Sequence, residues 1–579
     1  MTVFMALCVG LFLAAVFAFL EAARVSQLRT NARMSTLQAA DSLLAEYNDT
    51  LFDEYGVLFW EGSDAGGYSA VSAAASRQIE FIEGNYSSVS ADDNYYLLGL
   101  TLSDVTVDSY ELATDNGGAV FRIQAAKAMK GLLADGAVSS LKSLISTAES
   151  DGTSEEDLTE IEEAAANALE TLEDVQEQNE QDLADAQASL EELESSVSEL
   201  EAQIDDLADR ISELTEQIST LQTQIQELQA DDADYTEEIA ALKEQKTALQ
   251  QEKKELQAEK EEAKQQLAAI EAQIEEEEES VSTLQTTVKE CKAILKDNPL
   301  KWLKKIKKQG VLALVTDTSA LSSTELDQSE LCTQRTLNEG NYTGTESSTT
   351  TQNLKFQYYL QKVFACYTSE DHDGPLDYEL EYCLIGKESD IVNLRQTVKR
   401  LLLVREGMNY AYLQTASGKK EKALALATTI ATAFGQPELI VPIEQGILAA
   451  WAYAESLSDV RILLNGYKVS LVKKSGQWHT DLDDLGAVLS DTTGKDQSGL
   501  AYEQYLQILL GLGSIKKITY RAMDLIEADA SVQMDAMVSQ MDCTYRFEAE
   551  PIFWNFVSLG SDSLTTMMFP QTQLLTYTP

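Results

Sequence analysis

The sequence predicts an α+β body with an N-terminal transmembrane helix and a long inserted α-helical coiled coil, read as an antiparallel hairpin. Three observations carry this prediction. An eighteen-residue apolar run opens the chain, a heptad pattern fills its middle, and strand-like alternation mixes with helical spacing on either side of the heptads.

The apolar run is Val3 to Leu20, closed by Glu21, Arg24 and Arg29. At a helical rise it is about 27 Å long, close to the roughly 30 Å hydrocarbon core of a bilayer. No cationic n-region or small-residue cleavage site accompanies it, so a retained anchor over 1–21 is expected. Its lipid-facing residues are Val3, Phe4, Leu7, Leu11, Phe12, Leu13, Val16, Phe17, Phe19 and Leu20. Residues 22–60 continue as an amphipathic stalk helix, and Arg24, Arg29 and Arg33 are candidates for lipid headgroups.

The first part of the body, 61–152, offers a strand pattern at 98–107, with Leu98, Leu100 and Leu102 on one face. Short helices are expected at 119–132 and 137–147. Next comes an insertion, 153–297, with no Gly, no Pro and a single aromatic residue, Tyr235. In it Leu190, Val197, Ile204, Ile211, Ile218 and Ile225 recur every seventh position, each followed three residues later by Leu193, Leu200, Leu207, Leu214, Leu221 and Leu228. That is an a/d seam over six heptads. The register continues through Leu249, Leu256, Leu267, Ile270 and Ile274, with Lys246, Lys253 and Lys260 at a positions.

Two arrangements fit: one rod whose seam is covered by a second chain, or a hairpin turning near 230–238. Residues 153–230 hold 24 acidic side chains and one cation, Arg210, whereas 231–296 hold nine lysines. A parallel dimer would set the acidic arms side by side, while a hairpin places Lys243–Lys264 opposite Asp205, Asp206, Asp209, Glu213 and Glu216. The β-branched a and Leu d pattern suits the dimer, and Glu275–Glu279 would face Glu191 and Glu192 in the hairpin. Charge favours the hairpin.

The second part of the body, 298–579, opens with a short apolar run, 310–315, read as a buried strand. A Ser/Thr/Asn-rich loop at 317–352 is expected to stay mobile, and 354–367 has helical spacing. Strict alternation of Leu376, Tyr378, Leu380, Tyr382 and Leu384 predicts a strand. Helices follow at about 389–415, 420–434 and 437–463, broken at 418–420 and at Pro437. Asn465-Gly466 marks a turn into a strand at 467–473. Helices at about 500–512 and 514–540 precede a last strand at 541–549.

Net charge is −53, which sets nucleic-acid binding aside because phosphate neutralisation needs basic patches. No disulfide framework is apparent in Cys8, Cys291, Cys332, Cys366, Cys383 and Cys543; a Cys366–Cys383 bridge is one alternative, buried free thiols the favoured one. The two histidines, His372 in an acidic turn with Asp371 and Asp373, and His479 beside Trp478, read as a surface and an incidental residue. Ser-x-x-Lys occurs at 139–142, 417–420, 470–473 and 514–517 without companion motifs. No catalytic set, cofactor site or metal site is predicted, and no small-molecule substrate.

The start of the chain with residues 40–60 resembles the membrane-proximal helix of TadE/TadG-type pilus-associated proteins. The stretches 386–413, 448–473 and 499–510 are similar to an uncharacterised domain family of Gram-positive anaerobes associated with tight-adherence (Tad) pilus genes. The resemblance covers roughly 1–150 and 297–579, which makes the heptad region an insertion whose ends return to one body. It implies a single-pass cell-membrane protein with most of its chain outside, a non-enzymatic pilin-like or pilus-accessory component whose partners are pilus-assembly or envelope proteins. A coiled-coil regulator of a cell-wall hydrolase is the alternative.

Overall fold

A computed structural model describes the chain except for residues 62–67, 88–98, 232–233, 345–346, 490–497, 554–565 and 578–579. The protein is mostly helical, with one small sheet. In chain order the elements are α1 (Thr2–Leu44), α2 (Asp49–Tyr55), β1 (Trp60–Glu61), α3 (Tyr68–Ser87), β2 (Leu100–Leu112), α4 (Asp115–Ala128), α5 (Ala137–Ser150), α6 (Glu155–Ala230), α7 (Thr236–Lys296), α8 (Pro299–Ile306) and α9 (Val311–Val315). There follow α10 (Thr350–Val363), α11 (Glu379–Ile385), α12 (Asp390–Thr415), α13 (Ser417–Ala433), α14 (Ile440–Leu464), α15 (Tyr502–Leu512), α16 (Ile515–Ala530), β3 (Met537–Ala549) and β4 (Met567–Thr576). They form two compact units, one of 1–155, 309–415 and 452–579, the other of 156–308 and 416–451.

In the first unit β3 is the centre of an antiparallel sheet and pairs with β1, β2 and β4. Its alternating burial brings Met541, Cys543, Tyr545, Phe547 and Ala549 to one face. Leu28, Ala32, Ala39, Ala40 and Leu43 of α1, with Ala74 and Ile82 of α3, cover that face and complete one apolar core. Small residues on α1 let its backbone lie close to the sheet. Pro570 is accommodated in β4, which among the described residues pairs only with β3.

Helices α4 and α10 pack through Phe121, Phe356 and Tyr359, whose rings meet at 5.8–6.1 Å. The start of α4 is tightened by Asn116, Gly117 and Gly118, all at positive φ. A Cβ on Gly118 would stand 2.5 Å from Thr519 Cγ2, so α4 reaches α16 only because that residue is glycine.

In the second unit α6 and α7 lie side by side. Salt bridges join Lys292 to Glu180 at 3.1 Å and, beyond α7, Lys301 to Glu173 at 3.0 Å; Lys307 also pairs with Glu162. Lys246 donates to Gln222 nearer the far end. Partners descend α6 as they ascend the later chain, so the two helices run antiparallel. Leu207, Leu214 and Leu256 form an apolar cluster between them with Ile211 and Leu249. At the other end Gly446 lies against α6, where a Cβ would be 2.5 Å from Ala165 Cβ.

Several expectations need correction. Residues 311–315 and 379–385 are helices, not strands. Nearly every side chain from Leu376 to Ile385 is buried, including Glu379 and Glu381, so the alternating residues do not mark one buried face. Among the described residues, 467–473 makes only the isolated bridge Val469–Leu500 rather than a sheet strand. The break expected at 418–420 falls at Ala416, because α13 already starts at Ser417. Helix α16 ends at Ala530, and the expected tail of that helix becomes the start of β3. The stalk helix stops at Leu44 rather than running to 60.

Part of the loop expected at 317–352 is tied to α16 and the start of β3. Arg335 bridges Glu527 and Asp535 at 2.6 and 2.5 Å, and Thr333 binds Asp524 through its amide and hydroxyl. The strands at 98–107 and 541–549 and the helices at 119–132, 137–147 and 354–367 lie within observed elements of the same type or overlap them; Leu98 is outside the described residues.

Candidate functional site

Helix α1 has two halves with different surroundings. From Val3 to Leu20 its apolar side chains are outward: Val3, Leu11 and Phe19 are 73, 76 and 79% exposed, and Phe4, Leu7, Phe12, Leu13 and Leu20 are also exposed. Val16 and Phe17 are half-buried near the body. No other helix among the described residues is both long and apolar enough to cross a membrane. From Glu21 onward the same helix enters the sheet core without a break.

The change of environment happens within one turn. Glu21 is fully buried; it accepts Arg24 Nη1 at 2.8 Å through Oε1 and the Phe553 amide at 2.8 Å through Oε2. Phe17 stacks on Phe553 at 6.1 Å. This joins the last apolar turn to the segment that follows β3. Arg24 is therefore a buried partner of Glu21 and not a headgroup contact, whereas Arg29 and Arg33 are exposed.

Along α6 and α7 the seam residues are buried or half-buried. Leu207, Leu214, Ile225 and Leu256 are buried. Leu190, Leu193, Val197, Leu200, Ile204, Ile211, Ile218, Leu221, Leu228, Leu249, Leu267, Ile270 and Ile274 are half-buried. The lysines of 243–264 do not lock onto the acidic face as expected; Lys264 turns to Glu261 on its own helix at 3.1 Å, and the ion pairs between the paired segments lie towards the opposite end. Opposed charges there are anchored by Glu162, Glu173 and Glu180, which the sequence reading did not single out.

One polar cluster was missed altogether. Arg405 on α12 is fully buried and donates to Asp459 Oδ2 at 3.0 and 2.8 Å, to Asn409, to the carbonyls of Ser470 and Leu471, and to Tyr505. Lys473 reaches Asp459 Oδ1 at 2.6 Å and also binds Glu455. Glu455 further accepts the amides of His479 and Thr480 and the Thr480 hydroxyl. Burial alone would raise the Glu455 carboxyl, but His479 and Lys473 hold it well below the usual range.

His479 is thus not incidental. Glu455, Asp459 and His479 converge closely enough to hold a metal ion. The Lys473 ammonium, however, already bonds both carboxylates, and Arg405 with Lys473 balances their two charges. The donor set therefore reads as an ion-pair cluster that fastens the 467–480 segment onto α12 and α14. Its sequence signal was the i,i+4 pairs Glu455/Asp459 and Arg405/Asn409.

His372 stays at the surface, with Nδ1 2.8 Å from the Asp377 carbonyl. All six cysteines are free, five of them buried. Burial raises the thiols of Cys366 and Cys543 to about 11, which makes them poor nucleophiles. Of the Ser-x-x-Lys pairs, the lysine of 470–473 is committed to the ion-pair cluster.

A family model described as a family of unknown function (DUF5702) matches residues 289–553. No curated protein and no solved structure matches the chain. Residues 386–413, 448–473 and 499–510 lie inside the matched segment, whose family is described only as one of unknown function.

Proposed function

We propose that this protein is a membrane-anchored, extracytoplasmic structural or interaction protein, a minor pilin-like or accessory component of a Tad-type pilus system. The observation that carries the reading is α1: one unbroken helix, outward and apolar over its first twenty residues, then the spine of an antiparallel sheet. An apolar surface of that length needs lipid or other apolar helices around it. The sealed junction at Glu21, Arg24 and Phe553 gives the body a fixed attachment to the span rather than a loose tether.

Neutralisation of Arg24 by Glu21 weakens the charge signal that would draw the body into the cytoplasm. Helices α6 and α7, read as an intramolecular coiled coil, supply an arm of about 90–115 Å for a protein partner. Binding, not bond-making, is its task, with no cofactor and no small-molecule substrate. Fractionation with surface proteolysis tests the placement: the chain should sediment with membranes and be cut in intact protoplasts. Full protection there would refute it.

The paired helices also favour a second reading, a coiled-coil activator of a cell-wall hydrolase. Crosslinking from a photoreactive group at Tyr235 separates the two. A hydrolase captured at the arm's tip supports the second; pilus subunits alone support the first.

A further inference from the structure

Residues from the end of α11, from α12, from the end of α15 and from the start of α16 line a cleft of about 420 Å³ in the first unit. Three cations stand on its wall, Arg400, Lys517 and Arg521, against one carboxylate, Glu155. In a chain of net charge −53 that local balance is reversed. Leu403, Val404, Leu509 and Leu512 supply an apolar wall beside the cations. The volume suits a small ligand or a chain end rather than a folded surface.

The two guanidiniums are held side by side. Arg521 Nη1 donates to the Leu384 carbonyl at 2.6 Å and to that of Cys383 at 3.2 Å, and Arg400 Nη1 reaches the same Leu384 oxygen at 3.3 Å. Gly386 lies against the Arg521 guanidinium, where a Cβ would overlap it. Capping the α11 carbonyls in this way uses Nη1 of each arginine. Among the described residues Nε and Nη2 of both make no hydrogen bond, and neither arginine nor Lys517 forms an ion pair. Asp524, one turn further along α16, is bonded to Thr333 and Tyr382 instead. Burial pushes the Arg521 guanidinium below its ordinary value, and the Arg400 charge adds to the fall. Ser514, also on the wall, gives the first turn of α16 no side-chain cap, so the helix start adds amides and a positive dipole end.

We propose that this cleft takes the C-terminal carboxylate of a partner polypeptide that ends in an apolar residue. The guanidinium pair and Lys517 meet the carboxylate. The leucine wall receives the side chain, which leaves the same Cα as that carboxylate. An acidic residue in mid-chain would bring the charge without the adjoining apolar group. This deepens the reading of the protein as a binding component by naming a partner chemistry, and its test needs neither membrane placement nor pili.

The test uses the full chain in an uncharged detergent at physiological salt, where the more distant acidic surface is screened. The probe is a rhodamine-labelled peptide ending in two leucines with a free carboxylate, read by fluorescence anisotropy against empty micelles. The free acid should bind, and the same peptide amidated at its C-terminus should bind at least about tenfold more weakly. The double variant Arg400→Gln/Lys517→Gln changes two exposed side chains and should weaken the acid by a similar factor with an unchanged melt. Glu155→Gln should tighten it. Failure of the acid peptide to bind, equal binding of the amide, or an unchanged affinity in the double variant would overturn the proposal. Hexanoate binding in the first case would give the cleft to a fatty acid instead.

Discussion

Replacing Arg405 by Ala removes a cation that is fully buried, with its partner Asp459 equally buried. Six hydrogen bonds go with it, two to Asp459 and the others to Asn409, Ser470, Leu471 and Tyr505. Asp459 keeps Lys473, but that ammonium is then the one buried cation left for both Glu455 and Asp459, and two backbone carbonyls lose a donor. Breaking one side of such a pair costs about 3–5 kcal/mol, because the remaining charge stays out of water. For a cooperative unit of several hundred residues that is a fall of about 4–8 °C in Tm. Tryptophan fluorescence reports it locally, since Trp478 stacks on Tyr412 beside the cluster at 5.3 Å. The double variant Arg405→Ala/Asp459→Ala should cost less than the sum of the single changes, by about 1–3 kcal/mol. A single variant melting within about 1 °C of the parent, or strict additivity in the double, would refute the view that this cluster holds 467–480 in place.

Acid should stabilise the first unit through Glu381, whose carboxyl is pushed up to about 7 by burial despite bonds from the Tyr367 amide and Tyr502 hydroxyl. Between the unfolded value of 4.5 and about 7 the folded state holds the extra proton. Stability therefore rises as pH falls through that window, by about 3 kcal/mol at most for this group; Glu381→Gln should flatten the pH dependence of the urea midpoint. Thiol titration should find six reactive sulfhydryls under non-reducing denaturing conditions, and only Cys8 reacting rapidly in the native chain in detergent. Fewer than six would restore a disulfide. Leu214→Ala removes a side chain 8% exposed at the centre of the α6–α7 cluster and should cost about 2–3 kcal/mol, read as lost helix content on warming; an unchanged melt would show that α6 and α7 do not rely on that contact.

Sequence periodicity revealed the long features and failed on the short ones. Val3–Leu20 and the Leu207–Leu214 seam are legible because many repeats average out local accidents. The five-residue helix Val311–Val315 cannot be told from a buried strand by apolarity, and Leu376–Leu384 alternates although buried on nearly all sides. At 467–473 the alternation was correct as geometry, since Val469, Leu471 and Lys473 point inward, but among the described residues no strand lies alongside. Strand β4 was missed because Pro570 and two glutamines mask its pattern. The cleft around Arg400 and Arg521 draws on residues from 155 to 521, and nothing in their spacing joins them.

The apolar flank of α1 has a timing problem during synthesis. Leu28, Ala32 and Leu43 emerge at the outset, yet their covers Phe547 and Phe569 arrive at the far end of the 579-residue chain. At ordinary translation speed that interval is roughly half a minute to two minutes. Throughout it a greasy stripe on α1 waits uncovered, which invites a holding chaperone. A ribosome that stops early leaves the first helix made and its counterpart never made.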